Sequence, residues 1–329
     1  MGKKSRSRHQ AADHAAREAT GAVADQAAAV GPRQPCPCGS GRRYKHCHGR
    51  PGGAPAAYVA RTFAGLPGEC DWVALREIVP AASAPLTLVD GVGTGRAVTV
   101  CSLLPGALPA LVRADGEVWL GLQVHHNHGD VSRDLAYALE QALAAEPGSQ
   151  LGVIEPPPDG PRLQDLVDPD SDFVVTVHDD FGYWVADVED PDGSVAAALQ
   201  AANDAAAPTV RLGSVEAGYW TRMGGREYVR WVLPHDEGEV LDAFARLHAA
   251  HDDTVALDAG EGRLIGMFRA HGLLAPVWEV PDGTGADGLD SPFTALAGRL
   301  DAALGRSEPL STDERSARSG LANRQLTIR

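Results

Sequence analysis

The sequence predicts an α+β body in which antiparallel sheet carries helices on one face. Three observations predict it. Strand-like runs come in pairs joined by Gly-containing turns, and an amphipathic helical stretch follows each pair. Four of the six tryptophans, Trp119, Trp184, Trp231 and Trp278, fall on the second strand of their pair, the last three at equal intervals of 47 residues. Such spacing marks degenerate repeats. Hairpins that alternate with helices build antiparallel sheet, not the doubly wound parallel kind.

Taken in order, residues 10–30 are alanine-dominated and predict a helix with no strong apolar stripe, marginal by itself. Residues 1–34 thus read as a basic arm, an Ala-rich helix or disordered, 35–50 as a compact loop, and 51–57, rich in Pro and Gly, as a linker. The body covers 58–308, and the Pro-rich stretch at 155–160 divides it into halves of about 58–155 and 161–308. A short helix around 71–79 ends at Pro80. The first hairpin-plus-helix unit has strands at 98–104 and 118–124, the turn Asp115-Gly116, and a helix with Leu135, Ala138, Leu139, Ala142 and Leu143 on one face. In the second, 173–177 and 183–188 flank Phe181-Gly182, and Val195, Ala198, Leu199 and Ala202 follow. The third joins 218–223 to 227–233 through Gly224-Gly225 and continues into Val240, Leu241, Phe244 and Leu247. The fourth joins 264–268 to 274–280 through His271-Gly272 and leads to Phe293, Leu296, Ala297, Leu300 and Leu304. The tryptophans read as core anchors, since each buries a large apolar area and needs one partner for its N–H. Residues 309–329 hold few apolar groups and read as a C-terminal tail, mobile or docked.

At 329 residues the chain has room for one large domain or two modest ones. Alanine is abundant and Lys3, Lys4 and Lys45 are the only lysines against many arginines, a bias of high-GC coding. Charge is divided: residues 1–50 carry ten Lys/Arg and three Asp/Glu, +7, and the rest carries 19 and 41, −22, for the total of −15. Lys3, Lys4, Arg6 and Arg8 on the arm suit contact with a ribosome or RNA through charge attraction, or a simply solvated run. Five cysteines, three of them crowded near residue 40, make no disulfide framework and imply a reducing compartment. No apolar run is long enough to span a bilayer and no apolar leader follows the first lysines, so the expected location is cytoplasmic.

The sharpest chemistry lies in residues 36–48, CPCGSGRRYKHCH. Cys36, Cys38, Cys47 and His48 supply the three-thiolate, one-imidazole set that structural zinc sites use. His46 is a substitute for His48. Gly39-Ser40-Gly41 lets the backbone turn between the two ligand pairs. So short a loop has no core, and bound Zn2+ supplies its folding energy, about 10–16 kcal/mol in comparable peptides. Arg42, Arg43 and Lys45 favour the thiolate forms. This run resembles the SEC-C motif, the zinc-binding module at the C-terminal end of the SecA translocation ATPase, in Cys36-x-Cys38-Gly-Ser-Gly, Tyr44 and Cys47-His48-Gly49. The resemblance implies zinc ligation by Cys36, Cys38, Cys47 and His48. It also implies a protein partner, as SecA uses the module to engage the chaperone SecB. Arg42, Arg43, Tyr44 and Lys45 are then the partner-binding residues. Nothing like a motor follows, for the chain has no G-x-x-x-x-G-K-[ST] loop. The body resembles an uncharacterised family of high-GC bacteria.

A rival centre is His125-His126-Asn127-His128-Gly129-Asp130. His126, His128 and Asp130 resemble the first ligand cluster of metallo-β-lactamase-like hydrolases, which activates water on zinc. That family continues with His where this chain has Val131, and the downstream ligands have no counterpart. The plain account is that Asp130 or Ser132 caps the next helix. Gly91-Val-Gly93-Thr-Gly95 precedes a strand and not a helix, so it reads as a loop without phosphate-binding geometry. No nucleophile elbow appears, and Cys70 and Cys101 lack a catalytic setting. No residue is assigned a catalytic role. The leading expectation is a zinc-binding cytoplasmic adaptor, and the alternative is a metal-dependent hydrolase centred on His126, His128 and Asp130.

Overall fold

The computed structural model of the protein describes residues 33–34, 43–46, 59–125, 127–152, 160–185 and 194–324. They belong to two units, Met1–Tyr58 and Val59–Arg329. In the first, Arg33 and Gln34 bend the chain and Tyr44–His46 form a single 3-10 turn. The expected arm helix over 10–30, the linker over 51–57 and all four metal-ligand positions lie outside the described residues.

In the second unit, helix α1 (Glu69–Glu77) is stopped before Pro80, which has no N–H to continue it. It is followed by β1 (Ala82–Leu86), β2 (Val98–Cys101), β3 (Ala110–Val112), β4 (Val118–Gly121) and α2 (Val131–Ala144). Two short strands, β5 (Gln150–Leu151) and β6 (Thr176–Val177), flank the single-turn helix α3 (Leu163–Leu166). These strands make one six-stranded sheet in the order β5-β3-β4-β2-β1-β6. Its strand β6 comes from beyond residue 160 and pairs with β1, Ala82 facing Val177.

The rest of the chain forms α4 (Ser194–Ala205), β7 (Thr209–Arg211), β8 (Gly218–Met223), β9 (Arg226–Trp231) and α5 (Glu237–Ala250). Strands β10 (Val255–Leu257), β11 (Gly260–Ala270) and β12 (Leu273–Val280) precede helices α6 (Asp290–Leu304) and α7 (Thr312–Asn323). The second sheet is six-stranded and antiparallel throughout, in the order β10-β11-β12-β9-β8-β7. The protein is therefore α+β with two antiparallel-rich sheets.

Alternation along β12 shows how the core is shared. Leu273, Ala275 and Val277 face a core that also contains Trp72, Val73 and Leu75 of α1 and Leu135 and Leu139 of α2. Leu274, Trp278 and Val280 face the other way, into a core made with Phe244 of α5, Phe293 and Leu296 of α6 and Leu321 of α7. Neighbouring residues of a strand point to opposite faces, so one sheet serves two cores. A small third cluster, Cys101, Leu104 and Trp119, lies on the first sheet.

The third and fourth hairpin-plus-helix units are present as β8–β9–α5 and β11–β12–α6. The first two units differ. Strands β2 and β4 pair in parallel, Val98 facing Val118, because β3 intervenes and pairs with the far edge of β4. Trp184 lies in the 3-10 turn Gly182–Val185 and not on a strand, its indole N–H donating to Leu103 O at 3.1 Å. Trp119, Trp231 and Trp278 are buried, as core anchors should be, and Trp184 is half-buried. The expected tail is helix α7, opened by a reciprocal cap in which Ser311 Oγ accepts from Glu314 N–H and Glu314 accepts from Ser311 N–H. Among the described residues no helix is long and apolar enough to cross a membrane.

Candidate metal centre

The backbone N–H of Tyr44 donates to the carbonyl of Gln34 at 2.8 Å, tying together two points of the chain that bracket the first ligand pair in sequence. Tyr44–His46 then wind one 3-10 turn that ends directly before Cys47. Arg43 and Lys45 are exposed and Tyr44 is half-buried between them. Cys36, Cys38, Cys47, His48 and Arg42 lie outside the described residues, as does the side chain of His46. The donor set fits zinc on its chemistry. Three thiolates and one imidazole would satisfy a tetrahedral ion, and the exposed cations Arg43 and Lys45, neighbours of these positions in sequence, would offset the excess negative charge.

Two described residues of the rival cluster, Asp130 and His128, take part in the fold. Asp130 is buried, and its Oδ1 accepts from the N–H of Ser132 at 3.1 Å, capping α2. Its Oδ2 accepts from Nε of Arg162 at 2.8 Å, and the same guanidinium reaches the carbonyl of Thr62 at 2.9 Å. His128 donates its backbone N–H to Asp134 Oδ2 at 2.8 Å. Burial pushes the Asp134 carboxyl up from the usual carboxylate range. His126 lies outside the described residues, and His125 is exposed.

Three histidines elsewhere among the described residues have separate partners. His178 meets Ser83 Oγ at 2.8 Å, His248 meets Asp253 at 2.6 Å, and His271 meets Glu77 at 2.9 Å. Among the described residues, no three His, Cys, Asp or Glu side chains converge to hold a metal ion.

The glycine-rich stretch forms a 3-10 turn, Gly93–Gly95, that leads into β2, so no helix N-terminus faces it. Gly93 is required there: its φ is +83°, and a Cβ would press on Leu88 and Leu143 at 3.0 and 3.2 Å. Cys70 and Cys101 are free and buried, and burial pushes both thiols far above their ordinary value, which leaves them unreactive.

Two buried polar groups escape sequence reasoning. Asp71 of α1 binds Arg211 and Tyr219, and Glu227 of β9 collects four donors from strands and a loop. Asp71 meets its partners only through folding, and Glu227 meets Arg222 and Trp220 across its own hairpin but Gly283 and Gly285 only through the fold.

Comparison with known proteins divides the chain as the structure does. The Family of unknown function (DUF5926) matches residues 62–329, and the SEC-C motif matches residues 33–50. Protein translocase subunit SecA of Aromatoleum aromaticum is 53% identical over 47 residues, 13% of this chain and 5% of that protein. The same subunit of Nocardioides sp. is 57% identical over 37 residues, 11% and 4% of the two chains. That of Acidithiobacillus ferrooxidans is 81% identical over 21 residues, 6% and 2%. The chain thus spans 2–5% of the length of these curated relatives. No solved structure matches it.

Proposed function

We propose, from the premise that the chain belongs to the Family of unknown function (DUF5926), that it is a cytoplasmic interaction protein whose SEC-C motif is a zinc-held docking loop. Cys36, Cys38, Cys47 and His48 hold one Zn2+, which supplies the cross-link that a loop of this size cannot obtain from a core. Arg42, Arg43, Tyr44 and Lys45 form the contact surface for a protein or ribosomal partner. The observation that carries this reading is the Tyr44–Gln34 backbone bond, which fixes the basic run at its aromatic residue while Arg43 and Lys45 stay exposed. A surface held in place before contact loses less conformational entropy on binding, so a few residues suffice. The chain's own groups do the rest: the cations steer an acidic partner, and Tyr44 offers a rigid amphipathic ring.

Affinity capture with the full chain and with a variant lacking residues 33–50 tests the reading. The expected result is a partner retained by the full chain and lost with the deletion, while the body stays folded by circular dichroism. Binding through charge alone, as to ribosomal RNA, weakens steeply with added salt, and binding to a protein groove weakens less. A partner retained equally by both proteins would move the docking surface to the body.

A further inference from the structure

Arg230 is a buried guanidinium without a counter-charge among the described residues. It stands on β9 directly across from Tyr219 of β8 and Val277 of β12, on the face that turns toward α1. The residue is 9% exposed. Its Nε is buried with no hydrogen-bond partner, and its Nη2 donates to the sulfur of Met223 at 3.4 Å, a weak acceptor.

The nearby acids are engaged elsewhere. Glu227 shares the opposite face with Trp220 and takes Arg222, the Trp220 indole and the N–H groups of Gly283 and Gly285. Glu279 pairs with Arg226 at 2.8 Å and Arg263 at 3.9 Å. Asp71 is shared by Arg211 and the Tyr219 hydroxyl. With no carboxylate beside it, burial alone pushes the Arg230 guanidinium down to about 10. An unpaired charge is among the costliest things to bury, and such a group calls for a ligand the fold itself does not supply.

We propose that Arg230 anchors a binding site for a small oxyanion, the carboxylate or phosphate group of a small molecule, with Met223 as its displaceable cover. The planar fork of a guanidinium presents paired N–H donors that match either group. Met223 is 38% exposed and lies at the end of β8, beside the Gly224-Gly225 turn. Its unbranched side chain swings aside at small cost. Thr221, fully buried on the same face, adds a hydroxyl that among the described residues accepts from Thr209 Oγ1 at 3.3 Å. All of these residues belong to the unit Val59–Arg329.

Thermal unfolding of the full chain in inorganic phosphate and in acetate, each against sodium chloride at equal ionic strength, tests the proposal. At least one oxyanion raises Tm with saturation, by about 3 °C or more at a hundredfold excess over Kd. A response to phosphate alone assigns a phosphate ligand, and one to acetate alone a carboxylate. The response disappears in Arg230→Met and in Arg230→Gln and persists in Met223→Ala. If neither oxyanion moves the wild-type Tm beyond the chloride control, or if the shift survives in either Arg230 variant, the proposal is overturned. The wild-type arm decides even where one variant fails to fold.

Discussion

Asp71 of α1 and Arg211 of β7 meet at 2.9 Å across 140 residues of sequence, and the Tyr219 hydroxyl donates to the same carboxylate at 2.5 Å. Asp71 is buried, while the Arg211 side chain keeps 31% of its surface in solvent. Burial and the neighbouring carboxylate raise the Tyr219 phenol well above its ordinary value, so it stays a donor. The pair fastens α1 to the second sheet. Asp71→Ala leaves a half-buried cation and a buried hydroxyl unmatched, and is expected to cost about 3–5 kcal/mol in urea unfolding. A loss below about 1 kcal/mol would mean that the contact is ornamental.

Glu227 sets an acid limit. Burial by itself would raise its carboxyl, but hydrogen bonds from Arg222, Gly285, Gly283 and Trp220 outweigh that and hold it down at about 2, against an ordinary 4.5. A folded-state value below the unfolded one gives stability that is complete above pH 4.5 and is lost as pH falls toward 2. The shift corresponds to about 3 kcal/mol. The difference in unfolding free energy between wild type and Glu227→Gln should therefore shrink between pH 6 and pH 3. A difference that stays constant over that interval contradicts the assignment.

Helix α7 is held to the second core by Leu321, which is 3% exposed, and by Arg318 against Asp242 at 2.5 Å. Leu321→Ala is expected to cost about 2 kcal/mol or more. Hydrogen exchange should report it as lost protection over residues 312–323, with the two sheets still protected. Unchanged protection of that helix would show that the contact does not hold it.

Asp130 supports the fold through the α2 cap and Arg162. Asp130→Ala should lower stability by about 3 kcal/mol and leave the zinc content of the chain unchanged. Metal lost with this substitution in a folded protein would favour the hydrolase reading.

What the sequence made legible was local. The β8–β9 and β11–β12 hairpins turn on Gly224-Gly225 and His271-Gly272, and alternation plus a turn signal is enough to find such pairs. The stripe of α2 was readable at helical spacing, as was its cap at Asp130. The parallel pairing of β2 with β4 was not, because parallel register depends on where the intervening β3 goes. Strand β6 is two residues long and exists through β1 and the bond from His178 N–H to Ala81 O, which no local pattern encodes. Helix α7 has few apolar side chains, and its docking rests largely on Leu321. At the candidate metal centre, residue type and spacing carry the reading, since thiolates and imidazole announce themselves by chemistry and need no fold to be recognised. Arg230 announces nothing in sequence; it stands out only once its neighbours are known to be engaged.

The most direct test of the account is zinc stoichiometry in the full chain purified under reducing conditions, measured by atomic emission beside the Cys36→Ser, Cys38→Ser double variant. The account predicts one zinc ion per chain in the wild type and none in the variant, with the body folded in both. Wild-type protein that carries no zinc and takes up none when it is supplied would contradict it.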